Sequence, residues 1–309
     1  MGSTFVKHTG NPVLVRGPLG AWDHGDVANP DVFWDPVGTR WVMNYSGWDD
    51  IGTWRMGLAY STNLLTWTKE PTNPVFEPDP AIEGTYIAAN GSIAYKAPYY
   101  WHFYHGDNGD TRAARSTDLL DWERVNGGAV VIAKGAPGQW DSGKCTDPSV
   151  RLADDGTFEV FYVGEGAGGA AARKIGHATS PDGITFTKAP GNPLFGMPLW
   201  APATMFGEPH FWRDGDYLHV TFDSAVTTGY RRISRAMSAD GSLTWAYHPF
   251  AIGPGPAGAW DSALVFDSAP VIHQGRLYVF HGGAAAPGNT QGMGADIGLS
   301  IADYRADAL

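Results

Sequence analysis

"TFVKHTGNPVL", residues 4–14, returns as "TFTKAPGNPLF" at residues 185–195, with Thr, Phe, Lys, Gly, Asn and Pro at matching places. A segment that opens the chain and also lies deep inside it signals internal repetition. Immediately before the inner copy stands "KIGHATSPDGITF" (174–186), an alternating strand followed by Ser-x-Asp and an aromatic. That phrase recurs as "MGLAYSTNLLTW" (56–67), "TRAARSTDLLDW" (111–122) and "RISRAMSADGSLTW" (232–245), and in shortened form as "DIGLSIADY" (296–304). A second phrase, Gly-x-Trp-Asp, opens "GAWDHGDVANPDVFW" (20–34), "GQWDSGKCTDPSVRL" (138–152) and "GAWDSALVFDSAPVI" (258–272). Strand-like runs such as "RWVMNYSG", "YYWHFYHG", "TFEVFYVGE", "DYLHVTFDS" and "RLYVFHGG" lie between them.

The pattern amounts to five units of about 60 residues, each with four strand candidates. It predicts an all-β fold: a single five-bladed β-propeller domain over residues 1–309, with four-stranded antiparallel blades. In the first four units an outer strand follows the Ser-x-Asp/Asn phrase. The fifth ends at "SIADYRADAL" without one. Residues 4–14 therefore supply the missing strand and close the ring, leaving no open sheet edge.

Composition agrees. Gly (41), Pro (22) and aromatics (13 Trp, 13 Tyr, 14 Phe) are abundant and only 17% of residues are charged, which favours short strands and turns. The formal charge of −11 argues against nucleic acid or an anionic membrane as partner. No apolar run is long enough to span a bilayer. The N-terminus lacks the basic and apolar regions of a secretion signal, which favours a cytoplasmic location; an extracellular one requires a signal already removed. The oligomeric state is open. One cysteine, Cys145, excludes an intrachain disulfide, and without ligand spacing around it the residue reads as small and buried.

Repetition separates architecture from chemistry. Asp23, Asp141 and Asp261 follow the repeated Trp and read as blade-building residues. Asp118, Asp182 and Asp240 read as Asx-type turns. Alignment of the inner strands puts Asn29, Asn90, Asp147, Glu208 and Asp267 at one position around the ring, pointing into the mouth of the axial channel. Two residues on, the same face carries Asp31, Ser92, Ser149, His210 and Ala269. Convergent carboxylates in such a mouth suit general acid/base work; an axial cage for water or a structural ion is the plainer alternative. His24 stands where other blades have Ser142 and Ser262, so it is blade-specific and expected at the pocket. Trp54, Trp200 and Trp212 are candidates for stacking on sugar rings. The basic run "YRRISR" (230–235) reads as an outer-strand face.

The Asp-Pro-Ser-Val of "CTDPSV", the Glu-Pro-His of "GEPHFW" and the five units resemble the furanosidase-type propellers, glycoside hydrolase families 43 and 32, with features of family 130. The resemblance implies a glycosidase acting on an arabinose-, galactofuranose- or fructose-containing oligosaccharide, without cofactor or metal. It implies Glu208 as general acid and Asp147 as the carboxylate that supports the transition state. Blade one departs from the pattern: the expected Asp before Pro is Asn29, and an amide can neither take a proton from water nor attack carbon. Asp31, two residues along, is then the expected base or nucleophile, with Asp26 behind it. The alternative is a site that borrows its nucleophile, as a phosphorylase or transglycosylase does, or a propeller that only binds carbohydrate. Asn29, Asn90, His210, His24 and Asp267 are the expected substrate-binding residues.

Overall fold

The structure is a computed structural model, described for residues 4–49, 51–196, 205–227, 230–239, 245–287 and 291–304. Five antiparallel sheets follow one another along the chain. Blade one comprises β2 (Asp26–Asp35), β3 (Arg40–Trp48), β4 (Trp54–Ser61) and β5 (Thr68–Lys69), after the short N-terminal strand β1 (Val6–Lys7). Blade two holds β6 (Ala88–Lys96), β7 (Tyr99–Gly106), β8 (Asp110–Ser116), β9 (Glu123–Arg124) and β10 (Val130–Ile132). Blade three holds β11 (Lys144–Leu152), β12 (Phe158–Glu165), β13 (Lys174–Ser180), β14 (Thr187–Lys188) and β15 (Phe195–Gly196). Blade four is β16 (Met205–Asp214), β17 (Tyr217–Thr227), β18 (Tyr230–Ser238) and β19 (Ala246–Ile252). Blade five is β20 (Leu264–His273), β21 (Arg276–Ala284) and β22 (Asp296–Asp303), completed by β1.

The N-terminal segment meets blade five through Val6 opposite Ile301 and Lys7 opposite Ser300, and again through a bridge from Leu14 to Ile297. The contact is shorter than the eleven residues of the repeat, because the Gly-Asn-Pro in its middle leaves the ladder. Asn11 then replaces the missing peptide: its Nδ2 donates to the Leu299 carbonyl at 2.9 Å and its Oδ1 accepts from the Leu299 N–H at 2.8 Å. Asn73 does the same to Leu58 and Asn192 to His177. One side-chain amide thus satisfies two backbone groups that would otherwise be left open at an edge.

The aspartates after the repeated Trp have a matching partner. Lys69 reaches Asp23 at 2.5 Å, Lys188 reaches Asp141 at 2.6 Å, and Lys7 pairs with Asp261. Blade two lacks the Trp-Asp phrase yet makes the same clip, with Arg124 on buried Glu83 at 2.8 Å. These acids are buried and already paired, so they are architecture. Ser61 with Asn63, Ser116 with Asp118 and Ser180 with Asp182 form the expected turns, each side chain accepting from N–H groups just downstream. Asp240 lies outside the described residues.

Apolar side chains fill the gaps between neighbouring blades. Met43 and Phe280 pack between blades one and five, Leu58 and Tyr104 between one and two, Phe103 and Phe158 between two and three, and Phe161 and Phe211 between three and four. Each sheet therefore buries both faces, and the ring leaves its polar groups only the axis and the rims.

Candidate active site in the channel mouth

All five inner strands break register at one place. Along β2 the step from Ala28 to Asp31 is matched on β3 by only Ser46 to Asn44, which leaves one extra residue. Equivalent bulges follow Ala89, Thr146, Gly207 and Phe266. The residue in each bulge is left-handed: Asn29 (φ 49°), Asn90 (50°), Asp147 (51°), Glu208 (48°) and Asp267 (51°). Asn and Asp tolerate this conformation better than most residues, whereas for a longer side chain it costs about 1–2 kcal/mol. Glu208 holds it nonetheless, and backbone strain of this kind gathers at functional sites.

The bulges turn these five side chains toward the axis, where they line a pocket of about 300 Å³ together with Trp54, Tyr86, His105, Lys144, Arg173, Arg231 and Phe266. Beneath it the channel narrows to about 10 Å³, room for roughly one water, between the same five residues and His210. Neighbouring ring members hold each other. Asn29 donates to Asp267 Oδ2 from its side-chain nitrogen at 2.9 Å and from its backbone at 3.2 Å. Asn90 donates to Asp147 Oδ1 at 2.8 Å. The asparagines thus orient two carboxylates and leave Asp267 Oδ1 and Glu208 Oε2 without a hydrogen-bond partner.

Behind the ring, Arg231 of β18 forms an ion pair with Asp223 of β17 at 2.7 Å, 3.6 Å from Glu208 Oε2 and 3.9 Å from Asp267 Oδ1. Carboxylate oxygens of Glu208, Asp223 and Asp267 lie within 4.8 Å of one another, a spacing that would suit a metal ion, but the Arg231 guanidinium stands beside all three. Burial pushes the Asp267 carboxyl well above the usual carboxylate range, with the Asp147 charge adding to it. Burial also raises Asp223, against the pull of Arg231. His105 stands 3.7 Å from Asp147, and burial lowers its pKa against the pull of the Asp147 charge.

Asp31 is not on the pocket wall. It is buried, its Oδ2 accepts from the Ile93 N–H at 2.8 Å and its Oδ1 from the Ser92 hydroxyl at 3.2 Å. Ser92 in turn accepts from the Val150 N–H, and Ser149 from the Phe211 N–H. The second ring position is thus a belt that ties blade one to two, two to three and three to four, with His210 reaching within 3.6 Å of Asp31. The reason is the bulge: an extra residue between Asn29 and Asp31 breaks the period of two, so the pair no longer shares a face. Asp26 is likewise occupied, accepting from the N–H groups of Met293 and Ala295 at 2.9 Å.

Other expectations divide in the same way. His24 lies away from the pocket, in a surface hollow with Trp22 and Ile51, its Nδ1 2.8 Å from the Ala21 carbonyl; the position after the Trp-Asp turn faces outward in this blade. Trp54 lines the pocket, Trp212 instead stacks on His219, and Trp200 lies outside the described residues. Cys145 is fully buried, its thiol pushed up to about 12 by burial. The basic run is not an outer face: Arg231 and Arg235 are 4% and 2% exposed, and only Arg231 reaches the pocket.

Asp223 and His105 have no counterpart in the sequence reading, yet their signal was present. The residue of the second strand opposite the bulge is Ser46, His105, Val163, Asp223 or Gly282, depending on the blade. The blade-by-blade comparison that singles out the inner ring singles out these two when extended one strand outward.

No protein-family model matches the chain, and neither does any curated protein. Solved structures do. A glycosyl hydrolase from Bacteroides ovatus superposes with a TM-score of 0.71 at 16% identity, covering 99% of this chain and 97% of that one. A structure from the GH130 family of mannoside phosphorylases, which contains glycoside hydrolases that target β-1,2 mannosidic linkages in Candida mannan, gives 0.68 at 17% identity over 100% and 98%. An N-acetylgalactosamine deacetylase from F. plautii, in complex with blood group B trisaccharide, gives 0.69 at 15% identity over 97% and 96%. At these identities the likeness is one of fold, and the same fold carries a hydrolase, a phosphorylase family and a deacetylase.

Proposed function

We propose that the pocket cleaves a glycosidic bond in an oligosaccharide, with a furanosyl residue as the sugar transferred. The observation that carries this is the convergence of Asp147 and Glu208, from consecutive blades, on one pocket with a strained backbone at both. Cleavage needs an acid for the leaving oxygen and a negative charge near the forming oxocarbenium ion. Glu208, whose buried Oε2 has no hydrogen-bond partner and lies 3.6 Å from Arg231, is the acid in this reading. Asp147, held by Asn90, is the supporting carboxylate. Asn29, Asn90 and Asp267 bind sugar hydroxyls, Trp54 offers an apolar wall, and His210 closes the floor.

With Asp31 engaged in the belt, the attacking group comes from outside the ring. Water is the first candidate. Lys144 and Arg173 on the same pocket wall favour a second reading, in which an oxyanion such as phosphate attacks instead. Product analysis on a panel of aryl furanosides and pyranosides, with and without phosphate, tests both. Free sugar from a furanoside without phosphate is the expected result. A sugar phosphate formed only when phosphate is added would replace hydrolysis by phosphorolysis. Cleavage of pyranosides alone would remove the furanoside assignment.

A further inference from the structure

The buried cation behind the ring has a use of its own. Arg231 comes from the third strand of its blade, yet its guanidinium lies among carboxylates from three strands of two blades. It rests 5.0 Å from the Phe266 ring and is 4% exposed. Burying a guanidinium this deeply is expensive unless it is paired, and its closest pair is Asp223, which is fully buried. The pair is particular to this blade, since no other blade carries an Asp opposite its bulge. Glu208 is the ring member this arrangement reaches. Around it stand Arg231 on β18, Asp223 on β17, Asp267 on β20, Asp147 on β11 and His210 on its own strand. The Arg173 guanidinium approaches the Gly207 position just before it.

We propose that Arg231 is a positioning residue, a fixed internal cation that sets where the Glu208 carboxyl sits and how readily it gives up a proton. The inference rests on Glu208 as the acid and deepens that reading. The Arg231–Asp223 pair acts as a regulated charge. Arg231 draws the Glu208 carboxyl toward ionisation, and Asp223, 2.7 Å from Arg231, opposes that pull. A metal ion at the same spot would carry a larger charge and would hold Glu208 ionised.

Titration of Glu208 itself provides a test that needs no substrate. Protein labelled with 13C at the glutamate carboxyl is followed by NMR across pH, and Glu208→Gln identifies the resonance. Arg231→Gln should raise the Glu208 midpoint by about one pH unit or more, because an opposite charge within ~4–6 Å is lost. Arg231→Lys should restore it, whereas Asp223→Asn should lower it by unmasking the cation. A merely structural role moves both neutral variants the same way or not at all. An unmoved or lowered midpoint in Arg231→Gln overturns the proposal. If that variant fails to fold, Asp223→Asn decides: a fall supports the proposal, and no change or a rise overturns it. Loss of the acid reading would show elsewhere, as aryl furanoside turnover indifferent to Glu208→Gln.

Discussion

At the scale of single residues, the ring position is where identity matters most. Five blades place a left-handed residue there, and only blades three, four and five place a carboxylate. Glu208 is the longest of the five and the least suited to its backbone, and its buried Oε2, like Asp267 Oδ1, has no hydrogen-bond partner. That combination fits a group kept for its chemistry. Glu208→Gln is therefore expected to lower turnover by about 10²-fold or more on glycosides with poor leaving groups, and by much less on activated aryl glycosides. A good leaving group needs little protonation, which is why the two classes should separate. Steady-state rates on a matched pair of substrates check this, and equal losses would remove Glu208 from the acid role.

At the scale of elements, the inner strands do two jobs at adjacent positions. The bulge delivers a side chain to the pocket, and in blades one to three the residue two further on ties its blade to the next. Asp31 carries the first link of that belt, with acceptor oxygens facing the Ile93 N–H and the Ser92 hydroxyl. Asp31→Asn puts an amide where a charged acceptor served two donors, and should cost about 1–3 kcal/mol of stability. Turnover at a permissive temperature should stay near that of the unaltered protein, since Asp31 does not line the pocket. Denaturation midpoints alongside kcat/KM test the two halves separately. Abolished turnover in a folded variant would return Asp31 to the role of base.

At the scale of the whole molecule, the ring is held shut by the start of the chain. Leu14 sits buried in the core between blades one and five, Asn11 satisfies Leu299, and Lys7 pairs with buried Asp261. Removing residues 1–14 exposes the β22 edge and leaves that acid alone. Several kcal/mol should be lost, enough to lower the melting temperature by roughly 10 °C or more and to promote aggregation. Calorimetry on the truncated chain checks it, and melting within a degree or two of full length would refute the closure.

The amino-acid sequence by itself determined the five blades, because every blade must bury the same faces and so repeats the same alternation, Trp-Asp turn and Ser-x-Asp corner. It also determined which five residues share the ring, since equal spacing from a repeated Trp survives any local distortion. What it left open depends on geometry that repetition does not encode. The period of two put Asn29 and Asp31 on one face, and only the bulge, an extra residue seen in the pairing of β2 with β3, moved Asp31 off the pocket. The basic run in β18 looked like an outer face because its residues alternate. Whether an arginine on a third strand reaches the axis is set by how closely blades four and five approach, a long-range contact that no local pattern carries. The fold is thus written in short-range periodicity, while the charge arrangement of the site is decided where residues distant in the chain meet in a low-dielectric interior.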